Sequence, residues 1–246
     1  MEIITCDGIE LISAISEYVD MVLSQKNSLK ESFSVGLSGG SIVDIIAKVF
    51  KKLPDSKYKQ IHFFFCDERF VDENSIDLTF NLYNEVLFSK RETMSANIHK
   101  LNLSLKLEDA TVEYKTDIEN YFNVNGEIPR FDLLFLGVGP DGHTASLFPN
   151  HKLLNVTDKI ICSLDDSPKP PNKRITMTLP LINNAHHICF ISVGESKASI
   201  VQTCITKYKL GGYDEYPASL VRPYNGRLIW FLNQGSAQLC NKLTYD

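Results

Sequence analysis

The sequence predicts an α/β fold, a mostly parallel sheet with helices on both faces, and three observations carry the prediction. Apolar runs of strand length alternate with stretches of helical periodicity along the chain. Two of those runs, Phe63-Phe64-Phe65-Cys66 and Phe131 to Leu136, are apolar enough to be buried strands. Three strand-like runs end abruptly in glycine-rich or charged segments, as strands of a parallel sheet do where they turn toward a covering helix.

The elements follow in order. Ile9, Ile12, Ile15, Val19, Val22 and Leu23 fall close to one face of a helix. Phe33 to Leu37 reads as a strand that runs into Ser38-Gly39-Gly40-Ser41, and Ile42, Ile45, Ile46, Val49 and Phe50 continue as a helix. Ile61 to Cys66 is a second strand, followed by Asp67-Glu68-Arg69 and a helix from about Asp77 to Phe88. Residues 108 to 122 are helical, Asp132 to Leu136 is a third strand, His187 to Val193 a later one, and Leu228 to Leu232 the last. The polar stretch DDSPKPPNKR, 165 to 174, is read as a long functional loop rather than a boundary, because strand-like sequence follows it. With no repeat, low-complexity tract or linker, residues 1–246 are expected to form one domain.

Composition narrows the function classes. The chain is 43% hydrophobic and 22% charged, as ordinary soluble globular proteins are. A net charge of -5 with scattered lysines and arginines leaves no electrostatic footprint for nucleic acid, so an anionic ligand has to be held by local groups. The six cysteines form no CxxC or other short metal-ligand spacing and read as free thiols of a reducing cytosol. The acidic start of the chain lacks the pattern of a signal peptide, and no run of apolar residues is long enough to span a membrane. The expectation is a cytoplasmic protein without membrane, nucleic-acid or metal partner.

In open parallel sheets ligands bind at the carboxyl ends of the strands, and there the suspicious segments lie. Ser38-Gly39-Gly40-Ser41 moves from strand to helix through two glycines, which suits either a phosphate cradle of free amides or a tight turn capped by Ser41. The segment is too short for the P-loop pattern, since no GK[ST] follows, which argues against an ATPase. Arg69, in Asp67-Glu68-Arg69, suits a forked contact with an anion or an ion pair with its acidic neighbours. Gly137-Val138-Gly139-Pro140-Asp141-Gly142-His143 combines backbone freedom with one fixed φ, a shaped loop that presents its histidine. A lone histidine does not establish catalysis, and His62, His99, His151, His186 and His187 lack comparable surroundings.

Taken together, GVGPDGHTASLFP, LSGGS, CDERFV, PPNKRITMTLPLIN and YPASLVRP resemble the 6-phosphogluconolactonase family, and the resemblance runs from about Ser34 to Trp230. It implies a Rossmann-like fold shared with glucosamine-6-phosphate deaminases. It also implies hydrolysis of 6-phospho-D-glucono-1,5-lactone to 6-phospho-D-gluconate in the oxidative pentose phosphate pathway, without cofactor or metal. Fusion to glucose-6-phosphate dehydrogenase among relatives suggests a functional link to that enzyme. By the GPDGH motif His143 would be the general base that activates water, with Asp141 or Asp67 holding its tautomer; a helix cap is the alternative for Asp141. Gly39, Gly40 and Ser41 would contact the substrate. Arg69, Arg174 of the RIT motif and Lys197 of G-x-x-K would supply cations for its phosphate, whereas Arg222 is assigned to packing or a salt bridge. Oxyanion donors would come from the amides around Gly39 and Gly40 or from those of the 137–142 loop.

The deaminases share GxxxDGH but continue with a glutamate before proline, where this chain has Phe148. A deaminase-like enzyme and a non-catalytic sugar-phosphate sensor on the same fold are the alternatives. One departure from the lactonase pattern lies at Asp77-Leu78-Thr79-Phe80, where relatives carry D-S-N-Y, with Asn81 close by.

Overall fold

The computed structural model describes residues 1–25, 32–91, 97–211 and 216–240. The chain begins with β1 (Glu2–Thr5), α1 (Gly8–Ser24), β2 (Phe33–Leu37), α2 (Val43–Lys51), α3 (Asp55–Tyr58), β3 (Ile61–Phe65), β4 (Asp67–Arg69) and α4 (Thr79–Val86). It continues with α5 (Leu107–Phe122), β5 (Leu133–Leu136), β6 (Ile161–Leu164), β7 (Arg174–Met177) and α6 (Leu179–Asn183). It closes with β8 (His187–Ser192), α7 (Ala198–Leu210), β9 (Arg227–Leu232) and α8 (Gln234–Ala237). Among the described residues six strands form one parallel sheet in the order β1-β9-β8-β5-β2-β3, and β4, β7 and β6 form a second, antiparallel sheet.

Alternation along the buried strands sorts side chains into two cores. Phe63, Phe65, Leu133, Phe135, Cys189, Ile191, Ile229 and Phe231 point into one, against the apolar stripes of α1 and α2 and Tyr83 of α4. Phe64, Leu134, Leu136, Ile188, Phe190, Leu228, Trp230 and Leu232 point into the other, against α5, α7 and the small sheet. Both faces are covered, which is why these strands read as nearly continuous apolar runs. Ile9 departs from its expected place: it stands exposed at the start of α1, and Leu11 is buried instead.

The second sheet is where the structure departs most from the sequence reading. Asp67-Glu68-Arg69 is itself a strand, paired antiparallel to β7 with Asp67 opposite Thr176 and Arg69 opposite Arg174. Strands of three and four residues carry too little periodicity to be seen, and their pairing joins segments about a hundred positions apart. Residues 165–173 connect β6 to β7, and Arg174, placed in that loop by the sequence, is the first residue of β7.

Strand order decides where a ligand can sit. From β2 the chain passes to β3 on one side, and β5 later joins β2 on the other, so the order reverses between β2 and β5. A crevice opens at such a switch point beyond the carboxyl ends of the two strands.

Close packing at that point demands a glycine in β2. A Cβ on Gly36 would lie 2.4 Å from Leu134 Cδ2 and 2.9 Å from Cys66 Sγ, both fully buried. Gly36→Ala is therefore expected to remain folded but to lose about 1–3 kcal/mol of stability, read from urea unfolding. An unchanged midpoint would show that the core relaxes around the added methyl group.

Candidate active site

Ser38 to Ser41 leave the end of β2 and enter a 3₁₀ turn, Gly40–Ile42, that runs directly into α2. The first amides of a helical start have no partner within the helix. No side chain caps either the turn or α2, so Ser41 does not act as the cap that was its alternative role. Gly40 holds φ +81°, a conformation that favours glycine, while a Cβ on Gly39 would meet Thr79 Oγ1 at 3.0 Å. The turn is thus shaped by one glycine and packed closely by the other.

The loop after β5 is tied to itself. Gly139 N–H donates to the His143 carbonyl at 2.8 Å, Gly142 N–H donates to the Gly139 carbonyl at 2.9 Å, and Thr144 Oγ1 donates to the Gly137 carbonyl at 2.9 Å. The His143 ring lies against the backbone of Gly139: a Cβ there would be 2.0 Å from Nδ1 and Cε1. The glycines of this segment therefore let an imidazole fold back onto its own loop. Phe148 packs beside it, with ring centroids 4.9 Å apart.

Asp141 Oδ1 is 2.5 Å from His143 Nδ1, and Lys169 Nζ is 2.9 Å from the same oxygen and 3.1 Å from Nδ1. Burial raises the Asp141 carboxyl, but the hydrogen bonds from Lys169 and His143 outweigh it and bring the pKa to about 2. Burial lowers the pKa of His143, and the Lys169 charge adds to that effect, while Asp141 opposes both. An ionised Asp141 beside a neutral imidazole places the hydrogen on Nδ1 and leaves the lone pair on Nε2. Among the described helices Asp141 caps none; the next two helical elements along the chain start after His151 and Thr178.

Asp67 does not reach His143. Its carboxylate, 4% exposed, accepts a hydrogen bond from Ser146 Oγ at 2.7 Å and lies 4.0 Å from Arg174 Nη1. Arg174 is buried as well; its Nε donates to the Pro171 carbonyl at 2.9 Å, and its Nη2 donates to the carbonyls of Lys169 and Pro170 at 3.0 and 3.1 Å. The Arg69 guanidinium pairs with neither acidic neighbour. Its Nη1 donates to the Asp77 carbonyl at 2.7 Å, and its buried Nε has no partner. Lys197, in the 3₁₀ turn Glu195–Lys197 that follows β8, donates one hydrogen bond to the Val138 carbonyl at 2.9 Å.

Gly39, Gly40, Ser41, Asp67, Arg69, His143, Arg174 and Lys197 line one open cleft of about 680 Å³ at the switch point. Asp141 stands behind the imidazole, outside the lining. The sequence reading overlooked Lys169, Ser146 and Ser192. Lys169 lies in the stretch read as a functional loop, where its position between Ser-Pro and Pro-Pro was the available signal. Ser192, at the end of β8, lines the cleft with a buried hydroxyl that has no partner.

The departure at Leu78-Thr79 closes the far side of the β2 turn. Leu78 and Thr79 are buried, the amides of Thr79 and Phe80 donate to the Glu68 carboxylate at 2.7 and 2.8 Å, and Asn81 ties down Glu73 and Ser75 away from the cleft. Arg222 donates to the carbonyls of Tyr208 and Lys207 at the end of α7, a packing role. The other histidines lie elsewhere: His62 bonds His99, which bonds Asp117; His151 bonds Asp166; His187 bonds Tyr18. Among the described residues no group of three or more His, Cys, Asp and Glu side chains is arranged to hold a metal ion, and no helix is long and apolar enough to cross a membrane.

Comparison with known proteins identifies the family of the chain. The family model described as glucosamine-6-phosphate isomerases/6-phosphogluconolactonase matches residues 7–230. The 6-phosphogluconolactonase of Homo sapiens is 38% identical over 214 residues, covering 84% of this chain and 80% of its own. The probable 6-phosphogluconolactonase 1 of Arabidopsis thaliana is 35% identical and covers 100% of this chain and 93% of its own. The crystal structure of 6-phosphogluconolactonase from Thermotoga maritima superposes with a TM-score of 0.79 at 28% identity, over 94% of this chain and 99% of that one. A monomeric glucosamine-6-phosphate deaminase superposes with a TM-score of 0.74 at 18% identity, a likeness of fold. Both strand-end loops and the small sheet beneath them fall inside the matched span, and the chain belongs to the glucosamine-6-phosphate isomerase/6-phosphogluconolactonase family.

Proposed function

We propose that the chain hydrolyses 6-phospho-D-glucono-1,5-lactone to 6-phospho-D-gluconate, with His143 as general base and water as nucleophile. One observation carries the reading: a histidine backed by an ionised aspartate stands on the wall of a cleft whose other walls carry Arg69, Arg174, Lys197 and an uncapped helical start. Nε2 takes a proton from water as its oxygen bonds to the lactone carbonyl carbon, and the carbonyl oxygen becomes an oxyanion. Collapse of that intermediate breaks the ring C–O bond, and the imidazolium returns the proton to the departing ring oxygen. The amides of Gly139 and Gly142 are committed within their own loop, which favours the Gly39–Ser41 turn as the source of donors to the ligand. Arg69, with an unpartnered buried Nε, and Lys197, with two donors left, suit the phosphate. Arg174 has most of its donors on loop carbonyls, so its part is chiefly to shape the cleft.

The deaminase alternative needs a carboxylate where Phe148 instead packs a buried ring against the imidazole. A sensor needs no base, and an intact Asp141–His143 pair speaks for turnover. The same reading puts the chain in the cytoplasm, downstream of a dehydrogenase that oxidises glucose 6-phosphate.

His143→Ala is expected to lower kcat by ~10²–10⁴-fold while the protein remains folded and still binds 6-phosphogluconate. Turnover within about threefold of the parent, after subtraction of spontaneous hydrolysis, would remove His143 as the base. A base works unprotonated, so activity should rise with pH through the pKa of His143. Because that pKa is lowered in the folded protein, the acid limb of kcat/KM should lie below ~6.5 and vanish in the alanine variant.

Unphosphorylated gluconolactone is expected to lose at least ~10²-fold in kcat/KM, because binding energy at the phosphate is used at the reacting centre. Equal turnover of the two lactones would refute the phosphate site. Incubation with glucosamine 6-phosphate should release no ammonia above background; steady release would reverse the choice between lactonase and deaminase.

A further inference from the structure

Lys169 lies outside the lining of the cleft, yet its ammonium is held against the back of the Asp141–His143 pair. A lysine on the protein surface ordinarily gives its charge to solvent, and an exposed pair with a carboxylate contributes little. Here the backbone that carries the side chain is fixed on several sides. Lys169 N–H donates to Ser167 Oγ at 3.3 Å, and Ser167 Oγ donates to the Lys169 carbonyl at 2.8 Å. Arg174 then holds three successive carbonyls, those of Lys169, Pro170 and Pro171. Pro170 and Pro171 have no N–H to offer, so this stretch presents acceptors alone to the buried guanidinium. The guanidinium is anchored in turn beside Asp67 and Ser146. A chain of contacts thus leads from the small sheet through the loop to a cation at the imidazole.

We infer that Lys169 is a positioning residue of the reaction: its cation keeps Asp141 ionised as the acceptor of Nδ1–H and opposes protonation of His143. The inference rests on His143 being the base. A carboxylate alone beside an imidazole favours the imidazolium and would leave the base protonated near neutral pH. Two carboxylates act on the ring in that sense, Asp141 from its own loop and Asp67 from β4. Lys169 faces it from the β6–β7 connection with the opposite effect, and Arg174 of β7 lies beyond Phe148, its guanidinium carbon 5.7 Å from that ring. Lys197 borders the same cleft, and Tyr216 packs on Gly142. The arrangement serves both halves of the reaction. It keeps Nε2 free to accept a proton, and it makes the imidazolium a stronger acid toward the departing oxygen.

The test compares Lys169→Met, Lys169→Gln and Lys169→Arg with the parent by two readouts. NMR of protein labelled in its histidine rings gives the midpoint and tautomer of His143 without turnover, and the pH profile of kcat/KM gives the same midpoint through the reaction. In Lys169→Met and Lys169→Gln the midpoint should rise by about one unit, a ~10-fold change in proton affinity, with the acid limb moving equally. Both variants should then lose more activity at about pH 6 than at about pH 8, whereas Lys169→Arg should restore the parental midpoint. The side chain is 36% exposed and the backbone bonds do not involve it, so the folded spectrum should persist. An unmoved midpoint, or a loss of kcat/KM equal at every pH, overturns the role of Lys169. An active His143→Ala variant would instead remove the base itself, so the two failures are distinguishable.

Discussion

Two adjacent strands, β2 and β5, end side by side, and the segments that follow them pack on opposite faces of the sheet. After β2 the chain turns into α2, whose Val43, Ile46, Val49 and Phe50 join one core; after β5 it runs through Leu147, Phe148 and Leu153 into the other. The cleft is the gap between these departures, and it exists because a parallel sheet covered on both faces has to change direction somewhere. Everything placed on the cleft depends on this. The Gly39–Ser41 turn sits on one wall and His143 on the other, and neither could move to a different strand end without losing its neighbour.

The floor is a separate construction. β4 and β7 bring Asp67 and Arg174 together at the edge of the main sheet, with both side chains almost fully buried. A charge in that position is tolerated only when it is paired and hydrogen-bonded. Arg174 meets the requirement through Asp67, Ser146 and three loop carbonyls, and Asp67 through Ser146 and Arg174. Burial therefore makes the guanidinium an organiser of the loop that carries Lys169. The same physics explains why Arg69, the neighbour of Asp67 in sequence, does not pair with it: Asp67 faces the Ser146 and Arg174 side, and Arg69 extends toward Asp77 and Gly39.

Phe148 is the apolar neighbour of the imidazole. A glutamate there would place a second carboxylate beside the imidazole, whereas the phenyl ring supplies a dry wall with no proton to exchange. Two sides of His143 are thus set by different means, an apolar ring on one and a carboxylate with its cation on the other.

The layered architecture is legible in the amino-acid pattern alone, because strands buried on both faces must be apolar throughout and helices must carry one apolar stripe. The pattern also marked the loops at the ends of β2 and β5, since Gly40 and Gly142 adopt positive φ and no side chain fits where Gly139 meets the His143 ring. Which carboxylate meets His143 follows from packing in three dimensions, because Asp141 and Asp67 are equivalent in composition and differ in what lies across from them. The pairing of β4 with β7, the burial of Arg174 and the arrival of Lys169 at the imidazole likewise follow from packing. Each depends on contacts between segments from about thirty to a hundred residues apart, in stretches too short to have a period. Hydrophobic periodicity records which way a residue faces, and nothing in it records what that residue meets.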